Sequence, residues 1–137
     1  VIETKAGYRE IEHTADWELQ VWAPDLPALL EQAARGMYNL AGIQFYPAPR
    51  QVHEFDIPAG DPERLLVAFL SELLWILEQD GLGFDTFILN LTGDGLHARL
   101  EGTPVAAQSK EIKAVTFHNL AVRQTADGFL VNIVFDV

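Results

Sequence analysis

Residues 61–101, DPERLLVAFLSELLWILEQDGLGFDTFILNLTGDGLHARLE, carry a complete helix signal followed at once by a complete hairpin signal. That succession decides the fold. Asp61 ahead of Pro62 is a helix start, because the carboxylate can cap free amides and proline suits the first helical position, where an N–H has no partner. Leu66, Phe69, Leu70, Leu73, Ile76 and Leu77 then recur at helical spacing, with Leu65, Val67, Leu74 and Trp75 widening the stripe. A helix apolar on most sides belongs at the centre of a molecule. Gln79, Asp80 and Gly81 end it. The period then changes from helical to two. Phe87, Leu89 and Leu91 alternate up to a turn at 92–95, and Leu96, Ala98 and Leu100 alternate with His97, Arg99 and Glu101 beyond it, which predicts a β-hairpin.

Upstream, Gln51 to Ile57 reads as a strand. Asp25 caps an earlier helix whose apolar stripe is Leu26, Leu29, Leu30, Ala33, Met37 and Leu40, with Gly42 past its end. Gly36 inside it costs up to about 1 kcal/mol against alanine, and close packing on a neighbour would account for it. Tyr8 to His13 leads into Asp16 to Trp22, where Trp17, Leu19 and Val21 alternate with Glu18 and Gln20 as in a half-buried strand. Downstream, Thr103 to Gln108 reads as a connecting loop and Ile112 to Val122 as a strand. Asp127-Gly128 is a tight turn, and Phe129, Val131, Ile133 and Phe135 form the inward face of a last strand. Strands joined mostly by hairpins, with two amphipathic helices, imply an α+β two-layer sandwich, the helices packed on a largely antiparallel sheet. No repeat or linker divides residues 1–137, so a single domain is expected.

Composition narrows the chemistry. There are no cysteines, which removes disulfides, thiolate zinc sites and cysteine nucleophiles. Twenty acidic against nine basic residues leave a net charge of −11, a surface that repels phosphate backbones and suits cations or a basic partner. Any RNA is therefore expected to be held by another protein. No apolar run approaches a membrane span and no signal-peptide pattern is present, so a cytoplasmic protein with no membrane contact is the expectation. Phosphate-binding glycine loops, nucleophile elbows and paired-histidine helices are all missing.

Three stretches could carry chemistry. In Glu12-His13-Thr14-Ala15-Asp16, polar residues at a strand break either turn the backbone or make Asp16 a metal ligand with His13 beside it. In Phe135-Asp136-Val137 the apolar alternation runs right up to Phe135, which brings Asp136 and the α-carboxylate of Val137 close together on a strand, either as solvated groups of a chain end or as clustered oxygens for calcium or magnesium. The third is Glu111 to His118. Alternation there puts Lys113, Val115 and Phe117 on one face and Ile112, Ala114, Thr116 and His118 on the other, with Glu111 and Lys113 an exposed ion pair. His118 in that setting is a structural group or a reactive one. His53 and His97 read as ordinary surface.

His13-Thr14-Ala15-Asp16, the stretch Ala33 to Met37, the Leu65–Leu74 helix, the block Glu111-Ile112-Lys113-Ala114-Val115-Thr116-Phe117-His118 and the closing Phe135-Asp136-Val137 together resemble the archease family, in its order and over almost the whole chain. Trp17 stands where a small aliphatic residue is common, and Phe117 where tyrosine is, so a role for that tyrosine's hydroxyl has no carrier here. The resemblance implies an accessory protein rather than an enzyme. Such a protein activates the GTP-dependent RNA ligase (RtcB type) that joins 3′-phosphate to 5′-hydroxyl ends in tRNA splicing, promoting its guanylylation and multiple turnover. It also implies a divalent cation, calcium first with magnesium or manganese as alternatives, held by Asp16, Asp136 and Val137. His13, Lys113 and His118 would then be contacts to phosphate or partner. The competing expectations are a chaperone-like interaction module for RNA-modifying enzymes, and a stand-alone metal-dependent hydrolase with His13 or His118 as general base.

Overall fold

The structure, a computed structural model, describes residues 5–11 and 17–137. Strands β1 (Gly7–Ile11) and β2 (Trp17–Ala23) precede helix α1 (Leu26–Leu40). Strands β3 (Gln44–Phe45) and β4 (Gln51–Pro58) lead to helix α2 (Pro62–Asp80). Then come β5 (Leu82–Thr92), β6 (Gly95–Ala107), β7 (Ala114–Val115), β8 (Arg123–Thr125) and β9 (Gly128–Asp136). Both helices begin as their sequences require. The Asp25 carboxylate accepts from Ala28 N–H and that of Asp61 from Arg64 N–H, each at 2.8 Å, and Gly81 ends α2 with φ +63°, a conformation open to glycine.

The α+β class holds, with every strand pairing antiparallel, but the strands divide between two sheets. In the first the order is β1-β2-β9, with β7 and β8 both on the far side of β9. In the second β6 is central, flanked by β4 and β5, and β3 pairs with its end. Helix α1 lies on β1, β2 and β9, touching β5, while α2 lies on β4, β5 and β6 and reaches β7. One continuous core results, from Leu19, Val21, Ile133 and Phe135 of the first sheet through Leu29, Ala33 and Met37 of α1 to Leu66, Phe69, Leu70 and Leu73 of α2. Each fully buried large side chain there contributes about 1.5–3 kcal/mol. No described helix is long and apolar enough to cross a membrane.

Three expectations need correction. The segment expected as a loop at 103–108 is mostly strand: β6 continues to Ala107 because Thr103 and Pro104 pair with Gly83 and Leu82, beyond a bulge between Phe84 and Thr86 that shifts the register by one residue. The strand expected over 112–122 is real only at Ala114–Val115. Ile112 and Val115 are the buried residues, three apart rather than two, so alternation fails there. Beyond them Thr116 Oγ1 donates to the Val134 carbonyl and accepts from His118 N–H, Leu120 N–H bonds the Phe117 carbonyl, and Asn119 takes φ +52°. The Thr116 bond holds the chain to β9, and the two local bonds beyond it compete with the ladder and turn the chain there. Trp75, expected to widen the buried stripe of α2, is instead 56% exposed.

Candidate functional site

The C-terminal end of β9 is an ordered place for a carboxylate. Ala114 and Val115 pair with Asp136 and Phe135, and the Asp136 carbonyl accepts from Lys113 N–H at 2.8 Å. Phe135 is fully buried and Val137 packs against the core, so Asp136, which is exposed, projects from a backbone fixed on both sides. Across the ladder Phe135 pairs with Trp17, the first described residue of β2. The Lys110 ammonium stands 4.8 Å from the centre of the Trp17 ring. Lys113 is exposed and makes no ion pair among the described residues; the expected Glu111–Lys113 pair does not form.

Asp16 and His13 lie outside the described residues. Among the described residues no three acidic or histidine side chains gather as a metal would require. Asp136 and Val137 by themselves offer fewer oxygens than the six to eight that calcium takes, so a resident ion needs further donors.

His118 is brought to a different place from Lys113. It lines a cleft of about 460 Å³ on the outer face of the first sheet, with Glu18, Asn119, Arg123 and Asn132. There Asn132 Nδ2 donates to Glu18 Oε2 at 2.6 Å, Gln20 Nε2 donates to Asn132 Oδ1 at 3.3 Å, and the His118 ring lies 3.3 Å from the Asn119 amide. Lys113 faces a second cleft of about 640 Å³ between α2 and the 108–115 segment. The two clefts share no lining residue. A single ligand group touching both Lys113 and His118 is therefore not what the geometry offers.

Neither of the other histidines is plain surface. His97 bridges the carboxylates of Asp56 (2.8 Å) and Glu54 (3.4 Å), and the hydrogen bond to Asp56 first, then that to Glu54, raise its pKa above the ordinary imidazole value. His53 is half-buried, its ring 5.6 Å from that of Phe84. On the same sheet the Arg50 guanidinium forks onto Asp85 (2.8 and 2.9 Å) and holds that carboxyl below its usual range. Both partners are about 40% exposed, so solvent screens the pair and it contributes little to stability. Sequence reading missed these cross-strand partners because they depend on register: Asp56 faces His97, and Glu54 faces Arg99 one rung away.

Comparison with known proteins matches residues 8–137 to the Archease protein family (MTH1598/TM1083). The archease of Methanosarcina acetivorans is 32% identical over 139 residues, and that of Methanosarcina barkeri 29% over 140, each alignment covering 95% of both chains. The solution structure of Methanobacterium thermoautotrophicum protein 1598 superposes with a TM-score of 0.72 at 23% identity, covering 96% of this chain and 99% of that one. The crystal structure of a Thermotoga maritima protein described as an archease, possible chaperone, superposes with a TM-score of 0.74 at 21% identity, covering 94% and 96%. With a family match over nearly its whole length, a relative above 30% identity and the shared fold, the chain belongs to the archease family.

Proposed function

We propose that this archease is an accessory protein that activates a GTP-dependent RNA ligase, promoting its guanylylation with the help of a divalent cation, calcium or a close substitute. One observation carries the reading. Trp17 pairs with Phe135, and the residues one peptide step away from that rung in sequence are Asp16 and Asp136. A step spans about 3.8 Å between Cα atoms, so chain connectivity favours a meeting of carboxylates from the two ends of the sequence. Asp16, Asp136 and the oxygens of Val137 would hold the ion, whose chemistry when bound is to neutralise charge building on a triphosphate during nucleotidyl transfer. Lys113, exposed and joined through its backbone to Asp136, would meet a phosphate beside the ion. The acidic surface leaves RNA to the ligase, which this protein would meet without gripping the nucleic acid itself.

The test is the rate of ligase guanylylation with wild-type protein and with folded Asp16→Ala and Asp136→Ala variants. Each variant should fall toward the rate of the ligase alone, and calcium should raise the Tm of the wild type but not of the variants. Full stimulation by both variants refutes a role for the ion. The words describing the Thermotoga maritima protein support a second reading, a chaperone-like module, under which the protein protects the ligase from heat-induced aggregation while leaving guanylylation unchanged.

A further inference from the structure

The 640 Å³ cleft beside α2 has an exposed aromatic wall. Ser71, Trp75 and Glu78 follow one another along one face of the helix at spacings of four and three, and all three line it. Trp75 is 56% exposed. The other two tryptophans are each capped by a cation: Lys110 stands 4.8 Å from the centre of Trp17, and the Arg9 guanidinium 4.7 Å from that of Trp22. Among the described residues no cation lies over Trp75. Less than one turn further on, Glu78 is exposed and without an ion pair among those residues, and so is Glu111 across the cleft.

The electrostatics at this end are one-sided. Glu78 and Asp80 occupy the last turn of α2, where the helix dipole is already negative, and that turn holds no basic residue to offset them. The cleft's two lysines are on the 108–115 segment, not on the helix. Lys110 is turned onto Trp17, and Lys113 is tied by its backbone to Asp136. An uncovered indole face beside unneutralised carboxylates is a receptor for a guanidinium, which stacks on tryptophan and pairs with carboxylates at once.

We propose that the helix end of this cleft receives an arginine from a basic segment of a protein partner, the guanidinium stacking on Trp75 and pairing with Glu78 and Glu111. The net charge of −11 steers such a segment toward the molecule and turns a polyanion away. The inference goes beyond the activator reading, and its test needs no ligase.

The experiment is a titration of the ¹⁵N-labelled full chain, whose three indole N–H signals report one tryptophan each. The probe is the peptide acetyl-Gly-Arg-Leu-Arg-Gly-amide. Parallel arms use the same peptide with glutamate in place of arginine, and a short oligouridylate. The arginine peptide should move the Trp75 indole and the amides near Glu78 and Glu111 ahead of all others. Trp75→Ala should weaken binding about two- to fivefold, the worth of an exposed cation–π contact, and Glu78→Gln should weaken it by a similar factor with the indole still present to report. Two outcomes overturn the proposal: arginine-peptide shifts spread over every acidic patch without preference for Trp75, or tighter binding of the oligouridylate or the glutamate peptide than of the arginine peptide.

Discussion

Gly36 offers a test in which two effects oppose each other and the sign of the result decides. It sits in the middle of α1, where alanine should be worth up to about 1 kcal/mol more than glycine on helix propensity alone. A Cβ added there would lie 2.9 Å from Leu19 Cδ1 and 2.9 Å from Tyr8 Cγ, closer than carbon atoms normally approach. Leu19 is fully buried between α1 and the first sheet, and the Tyr8 contact involves the ring carbon nearest the backbone, so neither can simply swing aside. Overpacking of this kind costs about 1–3 kcal/mol. Set against the propensity gain, Gly36→Ala should be net destabilising by about 1 kcal/mol, lowering Tm by about 3 °C for a chain of this size. Gly36→Val, with two further methyl groups and a β-branched side chain, should cost about 3 kcal/mol. Urea unfolding followed by tryptophan fluorescence measures both, with an unchanged slope expected. A Gly36→Ala variant more stable than wild type by the full propensity gain would show that β1 and β2 do not press on the helix at this residue.

Asp61→Ala removes the acceptor for Arg64 N–H at the start of α2 and should cost about 1 kcal/mol in the same assay, with Asp61→Asn retaining most of it. Phe69→Ala empties a fully buried position on α2 and should cost about 3–5 kcal/mol; a loss under 1 would mean that the core there is not packed. His97 has its pKa raised by Asp56 and Glu54, so its protonated form is favoured by folding. The resulting stabilisation is complete below about pH 6.5, the unfolded value, and disappears as pH rises through the higher folded value. His97→Gln should flatten that slope, and an imidazole titrating at or below the unfolded value by NMR would refute it.

How far the sequence could be read differs by element, for physical reasons. Both helices were legible because cap, proline and periodic stripe agree, as at Asp61, Pro62 and the Leu66–Ile76 face. The last strand was legible because Val131, Ile133 and Phe135 alternate without interruption. The segment 112–122 misled because apolar residues at Ile112, Val115 and Val122 look like a strand, while the local bonds from His118 N–H to Thr116 and from Leu120 N–H to Phe117, with the positive φ of Asn119, turn the chain and leave no periodicity. The division into two sheets depends on which strands find each other across more than a hundred residues, and single-strand patterns carry no such information. Of the candidate site, the ordered end bearing Asp136 followed from sequence, while the backbone bond from Lys113 to Asp136 is seen only in the fold. The separation of His118 from Lys113 did not, since it depends on the same bend. Trp75 was read as core because its helical position adjoins the buried stripe, and only the packing shows that more than half of it is exposed.

The strand that this domain makes last, β9, is the one in the middle of the first sheet, bonded to β2 on one side and to β7 and β8 on the other. During synthesis β1 and β2 therefore emerge, with α1 to pack on them, long before the partner that will seal their open edge. Assembly must wait until the whole domain has left the ribosome, and the long loop closure then required favours slow folding. Asp136 sits on a rung that closes at that moment, so its carboxylate takes its fixed place only in a chain whose sheet is finished.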